Sequence, residues 1–363
     1  MSAMYKSLSL QQVVDLIASI GDLRTVLVSG EMGIGKSSIL KSLAKLPQFK
    51  DYMFCYVDLT TKDVGDFTVP KIRTLDGVEV CSFIPNEEFG LHFKGKKVVM
   101  MMDELGKAKG GVLNACLRLM LERQLGMYTL DGIIFATTNL SVEGLGDNVP
   151  AHVRNRVIQV RVAKPDYMTM MEYAIHNTWH PVIIGSMREF PEMLASFEDY
   201  EKPEMNVLIN DPRTVRLACV TPRSLHAASD LITRTAILGD AILWHAMTGT
   251  VGEAAMHKIL TIYKLDSQLV SWEELVKNPT TVTVPTNGAA ACMLVAKAIQ
   301  RIEKATMDAF MDFLPRLGKE AQGLFARSVL SDTCPKQNVA ATNLKFQMWA
   351  AANNYMFGKT AKK

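Results

Sequence analysis

Gly30-Glu31-Met32-Gly33-Ile34-Gly35-Lys36-Ser37 decides how this chain is read. The stretch satisfies G-x-x-x-x-G-K-[ST], the pattern of a phosphate-cradling loop. Its glycines let the backbone curl so that successive N–H groups point into one concavity, which suits an anion. Lys36 is placed to reach β- and γ-phosphates, and the Ser37 hydroxyl to meet Mg2+. The flanks agree. Thr25-Val26-Leu27-Val28-Ser29 reads as a buried strand and residues 38–44 as a helix, so phosphates would meet a helix N-terminus that favours negative charge. A bare glycine turn would give no reason for Lys-Ser to follow the last glycine. The nucleotide-binding positions are therefore Gly30, Glu31, Met32, Gly33, Ile34, Gly35, Lys36, Ser37 and Ser38, with ATP and Mg2+ as the expected ligands.

Working outward, Val98-Val99-Met100-Met101-Met102-Asp103-Glu104 is a continuous apolar run that ends in two carboxylates. Such a run suits a central parallel strand buried on both faces. Acids at its carboxyl end sit where α/β sheets place their ligands. Asp103 is expected to hold Mg2+ together with Ser37, and Glu104 to orient and deprotonate the attacking water. Ile133-Ile134-Phe135-Ala136-Thr137-Thr138-Asn139 is a further buried strand with a polar tip. Asn139 would lie beside Glu104 if the two strands are neighbours, where a carboxamide can hold the water or sense the γ-phosphate.

The remaining segments of the first half fit one α/β domain. Residues 10–20 have helical apolar spacing closed by Gly21, and 111–123 form a second amphipathic helix. Residues 53–59 and 157–162 read as further strands. Alternating segments on either side of Leu75-Asp76-Gly77 signal a hairpin at about 66–84 that projects from between sheet elements. Lys164-Pro165-Asp166 marks a domain boundary. Beyond it the pattern is helical, with loops at 200–210, 278–288 and 331–338, which suggests a lid at 165–277 and a C-terminal extension at 278–363. Thr221-Pro222-Arg223-Ser224 opens a helix, with Thr221 as cap and Pro222 at the first position. Arg223 in that first turn works against the helix dipole, which suggests an anion nearby. His176 and His180 are four apart, but no glutamate follows His176 and Pro181 follows His180, so no metal site is expected there. Lys359, Lys362 and Lys363 form a short basic tail.

Composition narrows the class. A chain of 363 residues with 48% hydrophobic and 21% charged residues is a folded, multidomain protein. A net charge of +3 is too weak to argue for nucleic acid by itself. No apolar run approaches the roughly 18 residues of a membrane span. The first residues lack the basic-then-apolar pattern of a secretory signal, so a cytoplasmic protein is the default. Six cysteines without a C-x-x-C pair read as buried thiols.

These motifs together resemble an AAA+ ATPase, and in particular the MoxR-like branch that works with von Willebrand factor A-type partner proteins. The resemblance runs through residues 30–37, 98–104, Ala136-Thr137-Thr138-Asn139, Val153-Arg154-Asn155-Arg156-Val157 and Thr221-Pro222-Arg223-Ser224. More distinctive of the branch are the hairpin before Phe83-Ile84-Pro85, Leu121-Glu122-Arg123-Gln124-Leu125-Gly126, His180-Pro181-Val182-Ile183 and Gly249-Thr250-Val251-Gly252-Glu253-Ala254-Ala255. It implies an αβα P-loop sandwich on a five-stranded parallel sheet, a helical lid, and a ring that is usually hexameric. It casts Asn139 as sensor 1 and Arg223 as the cis-acting sensor 2. Arg156, with Arg154 as runner-up, becomes the finger that reaches a neighbour's nucleotide. The hairpin resembles the insertion such rings use to engage clients. Residues 125–132 are short beside the long pre-sensor hairpin of many relatives, so threading through a pore is not implied.

The reading is Mg-ATP hydrolysis that remodels a protein partner, in a chaperone-like role. A nucleic-acid loader or packaging ATPase on the same fold is the alternative. The modest charge and the absence of a basic aromatic groove, a helix-turn-helix or a zinc module weigh against it. A nucleotide-gated scaffold without turnover is weakened by the intact Glu104.

Overall fold

The computed structural model describes residues 7–92, 95–140, 149–200, 202, 206–212, 214, 216, 218–331 and 333–357, apart from the His152 side chain. The basic tail and part of the 200–210 loop lie outside the described residues. The chain divides into two compact units, Met1–Lys164 and Pro165–Lys363.

Chain order in the first unit is α1 (Leu10–Ile20), β1 (Val26–Ser29), α2 (Ser38–Ala44), β2 (Met53–Asp58), β3 (Thr68–Leu75), β4 (Val78–Pro85), β5 (Val98–Asp103), α3 (Gly110–Glu122), β6 (Gln124–Leu125), β7 (Tyr128–Thr129), β8 (Gly132–Thr138), α4 (Ala151–Arg154) and β9 (Ile158–Arg161). Five of these strands form one sheet in the order β2-β5-β8-β1-β9, and every neighbouring pair is parallel. The two-residue period of a strand explains the layers. Val26 and Val28 point to one face, where Val99, Met101 and Phe135 meet Val13 and Ile17 of α1 and Ile39 and Leu43 of α2. Leu27 points to the other, with Met100, Met102, Ile134 and Ala136 against Leu113, Cys116 and Met120 of α3. Both faces are covered, so β5 and β8 are buried at every position and read as unbroken apolar runs. This is the expected α/β P-loop sandwich. Ser9 starts α1 through a reciprocal capping box with Gln12.

β3 and β4 pair only with each other, in register from Thr68↔Pro85 to Leu75↔Val78. Asp76 (φ 51°) and Gly77 (φ 82°) make the two-residue turn whose twist suits a hairpin. Val69, Ile72, Leu75, Val78 and Phe83 are exposed. A bond from the Arg73 guanidinium to the Tyr128 hydroxyl, 3.0 Å, ties the hairpin to the small β6–β7 ribbon. Cys81 on β4 is exposed, which corrects the expectation of buried thiols: Cys55, Cys116, Cys292 and Cys334 are buried and Cys219 is half-buried. The hairpin buries little, so its cysteine has nothing to pack under.

The second unit is helical, and one buried cluster runs through it from Met170 to Phe346. The expected division at 277/278 does not separate two cores. Helix Gly288–Arg301 buries ten of its residues and packs against helix Pro181–Glu189 from the other side of that boundary. A helix apolar on nearly every side must be covered on every side. The segment 278–287 is therefore a loop within one packed unit. His176 Nε2 lies 3.0 Å from the Ser328 carbonyl, and His180 Nδ1 accepts from the Val182 N–H at 3.3 Å, capping helix Pro181–Glu189. No helix of the described residues is long and apolar enough to cross a membrane.

Candidate active site

Parallel strands end at one edge, so β1, β2, β5 and β8 deliver Ser29, Asp58, Asp103 and Thr138 to the same side of the sheet. The glycine loop leaves β1 there. Gly35 has φ 99°, a conformation that side chains other than glycine rarely adopt. Gly30 is held by space: a Cβ would lie 2.6 Å from Val162 Cγ1, just past the neighbouring strand β9. Ile34 is buried under the loop and Met32 is exposed. Ser38 donates back to the Gly35 carbonyl at 2.6 Å and so closes the loop onto α2.

Lys36 is buried, and its ammonium donates to the carbonyls of Gly30 (2.7 Å) and Glu31 (2.8 Å) and to Asn139 Oδ1 (2.8 Å). Those three acceptors match the three protons of an ammonium. The Asn139 contact follows from strand order, because β8 lies between β1 and β5 and carries Asn139 just past its end. Glu31 forms a buried ion pair with Lys164 at 3.7 Å, which offsets a carboxylate inside an anion-binding loop.

Asp103 is 8% exposed. Its Oδ2 accepts from Ser37 Oγ (3.2 Å) and Tyr56 Oη (2.9 Å), and its Oδ1 from the Glu104 N–H (3.1 Å) and from the Thr137 hydroxyl. Glu104 has left-handed backbone angles, φ 57° and ψ 42°, where β5 breaks into the short turn Leu105–Lys107. The Lys107 N–H donates to the Glu104 carbonyl at 2.9 Å, and the Lys107 ammonium pairs with the Glu104 carboxylate. Ser37 and Asp103 offer only oxygen donors, the chemistry that suits Mg2+. Among the described residues no group of three or more His, Cys, Asp or Glu could hold a metal.

The structure thus brings together the loop, Lys36, Ser37, Asp103, Glu104 and Asn139. The three arginines lie on other elements. Arg154 ends α4 and Arg156 precedes β9, both exposed, at the amino end of an edge strand. Arg223 is exposed in the first turn of helix Pro222–Thr233, in the second unit, where Thr221 and Ser224 form a capping box. Tyr56, Thr137, Lys107 and Lys164 went unread in the sequence. The available signals were weak: a polar residue inside an apolar strand for Tyr56 and Thr137, and i,i+3 spacing for Lys107.

No protein-family model matches the chain, and no curated protein matches it. Among solved structures, NtrX from Brucella abortus in complex with ADP overlaps with a TM-score of 0.39 at 12% identity, covering 96% of this chain and 67% of that one. A RuvB mutant from Thermotoga maritima gives 0.37 at 14%, covering 82% and 87%. PCH-2 from C. elegans gives 0.34 at 14%, covering 71% and 69%. Overlaps this loose leave the function to be argued from the residues.

Proposed function

We propose that this chain is an AAA+ ATPase of the MoxR-like branch, which binds Mg-ATP on the loop 30–37 and hydrolyses it to remodel a protein partner. One observation carries the ATPase reading: a buried loop lysine and the tip of β8 meet at 2.8 Å, beside a loop serine and a strand-end aspartate that meet at 3.2 Å. Each group then has a task. Lys36 exchanges carbonyl contacts for β- and γ-phosphate oxygens, and the loop N–H groups cradle the same charge. Ser37 and Asp103 would hold Mg2+, which neutralises charge developing on the phosphates. Glu104 accepts a proton from the attacking water, and Asn139 orients that water or the γ-phosphate. Arg223 serves as the sensor from the helical unit. Arg156, with Arg154 as runner-up, serves a neighbouring subunit in a ring, taken to be a hexamer. The partner proposed is a protein of the von Willebrand factor A type, engaged through the β3–β4 hairpin, in the cytoplasm. Support for the finer assignment comes from the motifs quoted above.

Thermal stability against Mg-ATP tests the core of this reading. At about a hundred times the dissociation constant, ligand linkage stabilises the fold by roughly 2.7 kcal/mol. Lys36→Ala should lose most of that response. A variant whose melting curve rises with Mg-ATP as much as wild type would take Lys36 off the phosphates.

A further inference from the structure

An ionised carboxylate offers about four lone-pair sites. Asp103 has four donors on them: Ser37, Tyr56, Thr137 and the Glu104 N–H. Ser37 is the expected fellow ligand of the cation. The Glu104 N–H comes from the residue just after β5 and Thr137 from β8 beside it, and both act on Oδ1. Tyr56 alone comes from β2, and it shares Oδ2 with Ser37. Parallel register pairs Tyr56 with Met101, so the phenol reaches forward along the neighbouring strand to the carboxylate.

Packing does not account for this tyrosine. Its residue surface is 50% exposed, and it belongs to neither buried cluster flanking the sheet.

We propose that Tyr56 is a positioning residue for the divalent cation, fixing Asp103 Oδ2 beside the Ser37 hydroxyl so that the metal meets a preset oxygen pair. This rests on the Mg-ATP reading above. Partners that orient metal ligands in this way typically affect metal affinity by about tenfold to a hundredfold. Nucleotide without metal depends on the loop and Lys36, and the Tyr56 hydroxyl bonds to Asp103 instead.

Tyr56→Phe removes one hydroxyl and keeps the ring, so it separates the two. ADP affinity is measured in EDTA, and Mn2+ affinity in the presence of saturating ADP is read from the free-ion electron paramagnetic resonance signal. The expected result is ADP binding within about twofold of wild type, and Mn2+ binding weakened by about tenfold or more. Unchanged Mn2+ affinity overturns the inference and leaves the ATPase reading standing. Equal losses in EDTA and with Mn2+ overturn it too, since they mark a generally loosened site. A wild type that binds no ADP removes both.

Discussion

Glu104 occupies a backbone conformation that residues with a Cβ seldom adopt, at a cost on the order of 1–3 kcal/mol. Its surroundings hold it there: its N–H bonds to Asp103, its carbonyl accepts from Lys107, and its carboxylate pairs with the Lys107 ammonium. Glycine would adopt the same turn without strain, so the side chain has to justify the position. In the proposed mechanism it does so as the general base. Glu104→Gln keeps the shape and removes the basicity. It should bind ATP at wild-type affinity and turn over about a hundredfold or more slowly. Single-turnover hydrolysis measured beside ATP binding checks this, and near-normal turnover would assign the base elsewhere. The identity of the acid pair was legible from its place at the end of an apolar run. Its clamps were not, because Tyr56, Thr137 and Lys107 meet it through strand register and a turn conformation, neither of which has a local pattern.

At the scale of elements, helix Pro181–Glu189 begins with an unusual cap, an imidazole nitrogen accepting the Val182 N–H. Burial, and after it the neighbouring Lys297, lowers the pKa of His180 from its ordinary 6.5, against the opposite pull of Asp266. A depressed imidazole binds protons less readily folded than unfolded, so its contribution to stability is full above the ordinary value and is lost as pH falls through it. Protonation also removes the acceptor that caps the helix. His180→Asn should keep a good cap without titrating, so wild type should lose roughly 1 kcal/mol relative to the variant between neutral pH and pH about 5. Parallel melting-temperature profiles against pH would rule the cap out as a titrating element. The β3–β4 hairpin gives a second test. Its outer residues are exposed and it pairs with no strand of the central sheet, so replacing residues 71–80 by a short Gly-Ser turn removes little core. Basal ATPase and melting temperature should survive while stimulation by the partner disappears; a collapsed melting temperature would make the segment structural. Strong periodicity made the sheet strands, α1, α2 and this hairpin legible almost to the residue. The loop at 278–287 was legible too, but composition cannot tell whether the helices on its two sides share a core, as they do here.

At the scale of the whole molecule, the sheet separates Arg156 from its own phosphate loop. β9 runs parallel to β1 with Ile158 opposite Val26, so Arg156 precedes the amino ends while the loop leaves the carboxyl ends. Four residues of strand between those levels span about 13 Å. Arg156 is exposed on an edge of the sheet, free to meet another copy. A guanidinium presents a rigid fork of donors to charge spread over the γ-phosphate oxygens, and fingers of this kind contribute on the order of a thousandfold or more to turnover. Arg156→Ala should therefore bind ATP normally and hydrolyse it poorly. In the proposed assignment the finger serves a neighbour, so mixing Arg156→Ala with an equally inactive Lys36→Ala should restore part of the activity. Only mixed assemblies contain interfaces where an intact finger faces an intact loop. The measurement is ATPase rate against mixing ratio, at concentrations where the chain assembles, with subunit exchange followed independently. Activity that peaks at intermediate ratios supports action in trans. A flat line at zero, with exchange demonstrated, would make Arg156 structural or confined to its own subunit, and the same mixing experiment with Arg154→Ala would then decide between the two arginines.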